Sequence, residues 1–351
     1  MEEHGAAPNA SLASTEPSAP EPVSDPSTPT DALTNDAASC KRVRELALRQ
    51  LNRFMSYESQ VLKGEKTEAI HDMRVASRRL QQLLDLLYID LRPPEVRKSR
   101  RQIRRCRRAL GDVRNCDVLL QIVGYSLGRK RATRRDAWTA VQHYLLMRRS
   151  EAYLRALRKL GKINLTDFYV SLKTFLHQGG AADHAPGHHG DGAGAVQRNF
   201  ASDLSKALES TWSRFESQIE RSRRSSRPEI IHAARIATKR LRYLLEVFHE
   251  FGVHGSDEAI SWLRQLQNHL GDWHDLEVLE QIMIEMVASP QFLRDHLSLA
   301  IEVEKLIVRN RANKFKLEER YSRLFRDSDE LDRLKEWVSS LLVAPAALAG
   351  S

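Results

Sequence analysis

The sequence predicts an all-α fold built by duplicating one helical unit of roughly 140 residues. Two observations carry this. From Lys41 onward apolar residues recur at spacings of three and four, and Leu, Arg, Ala, Glu and Lys dominate. No stretch of alternating β-branched residues is long enough to compete. Two motifs also recur in the same order at nearly the same offset. "AIHDMRVASRRL" at 69–80 returns as "IIHAARIATKRL" at 230–241, and "ALGDVRNCDVLL" at 109–120 as "HLGDWHDLEVLE" at 269–280.

Taken in order, the periodicity places helices at about 41–62, 67–90, 94–109, 113–127, 133–160 and 165–177. Thr67 is a candidate N-cap for the second of these. A Gly/Ala/His-rich linker at 179–195 follows. Helices resume at about 196–222, 228–251, 256–269, 273–287, 291–325 and 328–343, with Pro228 suited to a first helical turn. Each Leu-Gly-Asp reads as a turn between helices. Residues 1–40 are rich in Pro, Ser, Thr and acid and poor in large apolar groups, the composition of a disordered tail. The expected organisation is therefore a tail at 1–40 and a domain at 41–345. Its halves are 41–178 and 196–345, joined by the linker.

Charge is unevenly placed. The chain of 351 residues carries +9. The tail holds seven acids (Glu2, Glu3, Glu16, Glu21, Asp25, Asp31, Asp36) and no Lys or Arg, so the body alone carries a much larger positive charge. A body this basic implies a polyanionic partner. No apolar run approaches the roughly 18 residues of a membrane span, and the N-terminus "MEEHGAAPNA" lacks the apolar core of a secretory signal. Three cysteines without a C-x-x-C pattern fit a reducing, cytoplasmic setting.

On a helical wheel His71, Arg74, Arg78 and Gln82 share one face, with Met73, Ala76, Leu80, Leu83, Leu84 and Leu87 opposite. The second copy puts His232, Arg235, Lys239 and Arg242 on one face, with Tyr243 beside them. Ala234, Ala237, Leu241, Leu244, Leu245 and Phe248 take the other. Arg79 and Arg240 sit on the flank of each. Ordinary surfaces mix signs, but carboxylates are nearly absent from these faces. Guanidinium forks, a lysine point charge and histidine donors form a ladder suited to phosphate oxygens. The next helix is denser in charge. "VRKSRRQIRRCRRAL" at 96–110 includes Arg101, Arg104, Arg105 and Arg108 and leaves only a narrow apolar stripe of Val96, Ile103, Cys106 and Leu110. Its counterpart at 257–271 keeps Arg264 but is far less basic, so the halves are not expected to bind equally.

The chain has no Gly-rich phosphate loop and no Ser or Cys in a nucleophile context. His71–Asp72 could suggest a metal phosphohydrolase, but the second copy reads His232–Ala233, which favours a surface role for the aspartate. His184, His188 and His189 lie in the linker, where flexible tracts rarely build a defined metal site. Asp112, Asp117, Asp272 and Glu277 read as caps and ion-pair partners. No catalytic residue, metal site or cofactor is expected.

The duplicated His-x-x-Arg-x-x-x-(Arg/Lys)-Arg-Leu, each copy followed by Leu-Gly-Asp-x-x-(Asn/Asp)-x-(Asp/Glu)-Val-Leu, resembles the CHAD domain, the conserved histidine α-helical domain. The resemblance implies two antiparallel helical bundles with pseudo-two-fold symmetry around a basic channel. It implies binding of inorganic polyphosphate and association with polyphosphate granules. Carried over, the channel residues are His71, Arg74, Arg78, Arg79 and Arg104 from one half. The other half gives His232, Arg235, Lys239, Arg240, Arg242 and Arg264. The alternative reading is a basic helical protein that binds nucleic acid. Its support is charge alone, and no aromatic residue interleaves the 96–110 helix to stack bases.

Overall fold

The computed structural model describes residues 36–64, 66–89, 93–128, 134–179, 200–326 and 328–348, and every regular element among them is a helix. The first half comprises α1 (Asp36–Ser56), α2 (Glu58–Lys63), α3 (Thr67–Leu87), α4 (Pro94–Ala109), α5 (Gly111–Gly128), α6 (Arg135–Leu160) and α7 (Leu165–His177). The second comprises α8 (Phe200–Arg224), α9 (Pro228–Glu250), α10 (Ser256–Val287), α11 (Pro290–Asp295), α12 (Leu297–Arg326) and α13 (Glu330–Leu348).

The motif helices α3 and α9 form as their periodicity dictates. Met73, Ala76, Leu80, Leu83, Leu84 and Leu87 of α3 are all buried, as are Ala234, Ala237, Leu241, Leu244, Leu245 and Phe248 of α9. Burying such side chains supplies most of the stability of an amphipathic helix. Helix α3 packs mainly on α1, and α9 mainly on α8 and α10. The narrow stripe of α4 (Val96, Ile103, Cys106) and the adjoining Leu110 are buried too. One large core runs through both halves. A second, smaller core of Leu119, Val123, Val141, Leu145, Leu279, Met283, Val303 and Leu306 joins α5, α6, α10 and α12.

Contacts recur between the halves at the expected offset. Arg107 donates to Gln81 Oε1 at 3.0 Å. In the second half Arg242 donates to Gln267 Oε1 at 3.1 Å, with donor and acceptor exchanged between the two helices. Asp117 pairs with Arg149 of α6 at 2.5 Å, and Glu277 with Lys314 of α12 at 2.5 Å. Both carboxylates are thus the ion-pair partners their positions suggest.

Several expectations change. The helix beginning at Asp36 overlaps the tail assigned to 1–40, and Ser39 is buried. Proline-free sequence rich in alanine lets the helix start early. Residues 1–35 and most of the 179–195 linker, His184, His188 and His189 included, lie outside the described residues. Thr67 is the first helical residue rather than the cap, which falls on Lys66, and its hydroxyl donates to Glu68 at 2.9 Å. Pro228 opens α9 as expected. The second Leu-Gly-Asp is not a turn. α10 runs unbroken through it, because Leu270 and Trp273 continue one buried stripe. The first interrupts the helix only at Leu110, whose N–H still bonds to Cys106 O at 3.2 Å. The predicted helix at 291–325 is divided at His296.

The entry into α3 is fixed by Gly64, at φ +72, where Tyr153 Oη donates to the Leu62 carbonyl at 2.7 Å. A Cβ at Gly64 would lie 2.6 Å from the Tyr153 ring. Gly64→Ala therefore loses more than about 1 kcal/mol in urea denaturation, through left-handed strain and steric overlap. Gly124→Ala, inside α5 with open space around it, gains roughly 1 kcal/mol from helix propensity. Equal effects of the two changes would contradict this account.

Candidate functional site

Helices α3 and α9 meet, and their polar faces come together at the contact. Gln82 Nε2 of α3 donates to the Arg240 carbonyl of α9 at 3.3 Å, which fixes the register of the crossing. Arg74 and Arg78 then stand within electrostatic reach of Arg235 and Lys239. The pairing is reciprocal: Arg74 acts on Lys239, and Arg78 acts on Arg235. The two cationic ladders thus form one cluster.

The glycine of each Leu-Gly-Asp lies beside this cluster. A Cβ built on Gly111 would sit 3.6 Å from Arg74 Nη1, and one on Gly271 would sit 3.8 Å from Arg235 Nε. In both halves the motif arginine lies close over the helix backbone at its glycine. Arg74 also donates to the backbone carbonyl of Arg107. Arg235 Nε is buried and meets no hydrogen-bond partner among the described residues.

Burial and mutual repulsion act on these groups together. Desolvation, helped by Arg78, Arg107, Arg114 and Arg235, lowers the Arg74 guanidinium to about 9. Desolvation, with Arg78, Arg104 and Arg108 adding to it, lowers Arg107 to about 10. Lys239 falls furthest, to about 6, through desolvation and then the charges of Arg235 and Arg78. His274, whose ring centroid is 5.1 Å from that of His232, falls to about 4 for the same reasons. His71 and His232 are pushed down by desolvation and by neighbouring cations. The opposing carboxylate is Asp275, which acts on both Arg235 and Lys239. Burial raises its own pKa, against the opposing pull of Arg235 and Lys239. Without a ligand, then, the histidines of the cluster are neutral near pH 7 rather than held protonated.

The sequence-derived residues divide into groups. His71, Arg74, Arg78, His232, Arg235 and Lys239 meet at the crossing. Arg101, Arg104, Arg105 and Arg108 are exposed along α4, and Arg104 and Arg108 act on Arg107. Arg79 and Arg242 are tied up elsewhere. Both pair with Glu246 at 2.9 Å, and both stack against the Tyr243 ring. The Arg79 pair joins α3 to α9, whereas the Arg242 pair lies within α9. Arg264 is exposed and lines a separate cleft with Arg79, Gln82, Tyr243 and Glu246, away from the cluster. Arg240 is exposed on the flank and contributes its carbonyl. Arg107, Arg114, His274 and Asp275 were missed. The signal for Arg114 and His274 was present, since both follow Leu-Gly-Asp by the same step. Arg107 was hidden in the arginine run.

Among the described residues no group of three or more His, Cys, Asp or Glu side chains is placed to hold a metal ion. No helix among them is long and apolar enough to cross a membrane. Chemically, such an arrangement of donors can hold a multiply charged anion.

Residues 45–283, well over half of the chain, match the CHAD domain family, and the chain belongs to it. The matched span begins in α1 and ends in α10, short of residue 345. The crystal structure of the CHAD domain from the plant Ricinus communis aligns with a TM-score of 0.54 at 21% identity, covering 87% of this chain and 91% of that one. At that identity the likeness is one of fold. A comparison with curated proteins finds no match.

Lys239 has a testable cost. The unfolded chain keeps its lysine protonated up to about pH 10.5, whereas the folded protein releases the proton at about 6. Between these values the unfolded state binds more protons, so wild-type stability rises with pH. Lys239→Met stabilises the ligand-free protein near pH 7 by about 1–3 kcal/mol. In urea denaturation the advantage narrows as pH goes from 6 towards 9. A variant no more stable than wild type at pH 6 would contradict the placement of this lysine.

Proposed function

We propose that this protein binds inorganic polyphosphate at the α3–α9 crossing. The observation that carries the reading is the gathering of Arg74, Arg78, Arg107, Arg114, Arg235 and Lys239 at one crossing, where Asp275 is the carboxylate acting on Arg235 and Lys239. Such a cluster opposes folding unless an anion neutralises it. A linear phosphate polymer supplies dense charge and no bases, matching a site with many forks and no stacking platform. The CHAD family is associated with polyphosphate binding in general, which supports the same reading.

The reading is of a binder rather than an enzyme, because no Ser or Cys stands in a nucleophile context in the sequence. It extends to a cytoplasmic protein at the surface of polyphosphate granules.

The test is a titration of long-chain polyphosphate and of duplex DNA at equal phosphate concentration and two salt levels. Salt weakens both, so the preference at the higher salt decides. Wild type prefers polyphosphate there, and Arg74→Ala/Arg235→Ala abolishes the preference. Equal competition by DNA, with an unaffected double variant, would instead make the crossing structural and favour nucleic-acid binding.

A further inference from the structure

We infer that α4 is a one-sided exit track for the polyanion held at the crossing, and that it makes the protein select long chains over short ones. This rests on the polyphosphate reading and names the chain length that the same site favours.

The cations of α4 fall into two sets. Lys98 pairs with Asp167 at 3.1 Å and Arg100 with Asp85 at 2.6 Å, which ties α4 to α7 and α3. Arg97, Arg101, Arg104, Arg105 and Arg108 are exposed and have no carboxylate partner among the described residues. At about 100° per residue these five lie within about 100° of one another. From Arg97 to Arg108 the helix rises about 16 Å. This row joins the crossing through Arg107, which feels Arg78 on one side and Arg104 and Arg108 on the other. Arg107, whose backbone carbonyl accepts from Arg74, thus links the cluster to the exposed row of α4.

The second half has no such row. At the matching positions of α10 stand Asp257, Ser261, Arg264, Gln265 and Asn268. Asp257, at the outer end, is an acid that pairs with His249 at 3.2 Å. A chain leaving the cluster is drawn along α4 and finds little to hold it on α10. A short phosphate fits within the crossing and gains little from α4, whereas a long one engages both.

The test compares tripolyphosphate with a long-chain polyphosphate by calorimetric titration. The variant Arg97→Gln/Arg101→Gln/Arg105→Gln removes three exposed cations and keeps good helix formers. The control, Arg158→Gln/Lys159→Gln/Lys162→Gln, removes the same charge from exposed positions at the end of α6. The α4 variant lowers the ratio of long-chain to tripolyphosphate affinity. It also reduces the slope of log affinity against log salt for the long chain by about 2, the share of three lost phosphate contacts. The control leaves the ratio where it is in wild type. An unchanged ratio in the α4 variant, or an equal fall in the control, overturns the track and leaves general electrostatic attraction. Failure of wild type to bind either phosphate overturns the polyphosphate reading, and the track with it.

Discussion

Like charges forced together where α3 crosses α9 are the constraint around which the rest of this molecule is arranged. Arg74, Arg78 and Arg235 repel one another and depress Lys239 in a partly desolvated space, where a low local dielectric strengthens repulsion. They are held there by what lies behind and beside them. Behind are the leucine-rich backs of both helices, buried in a core shared by the two halves. Beside them Glu246 gathers Arg79 and Arg242 and ties the helices together. The motif arginines lie over the two Leu-Gly-Asp segments, within van der Waals reach of a Cβ built at each glycine. Hydrophobic burial thus opposes electrostatic repulsion, a balance found where a site is shaped for a ligand that is itself charged.

The halves share a plan but not a surface. The Arg–Gln bond between the motif helix and its neighbour occurs in both, with the residue types exchanged. The carboxylate after each Leu-Gly-Asp pairs with a cation from the long helix of its own half. These internal contacts hold the scaffold, and they tolerate exchange because either order satisfies the same donor and acceptor. The exposed cations differ freely, being abundant on α4 and sparse on α10. Recurring internal contacts thus carry unlike exposed faces.

Not every cation on a basic face serves binding. Arg79, Lys98 and Arg100 each have a carboxylate from another helix, and Arg242 has Glu246 one turn along its own. Such pairs orient helices. The cations left without partners are the ones that a polyanion can reach and gain by neutralising.

The all-helical class, the buried face of each motif helix and the repeated order of motifs were legible in the sequence, because they depend on local periodicity and on contacts within one helix. The face holding His71, Arg74 and Arg78 was legible for the same reason, as was its counterpart with His232, Arg235 and Lys239. The tertiary structure decided what a single helix cannot encode. It set which face meets which, so that the ladders merged and Arg79 turned to Glu246. It brought Arg107, Arg114, His274 and Asp275 into the cluster from α4, α5 and α10. It carried α10 straight through a Leu-Gly-Asp that read as a turn. The physical reason is range: helix propensity and amphipathicity act over a few residues, whereas charge repulsion, desolvation and ion pairing act between residues that only folding brings together.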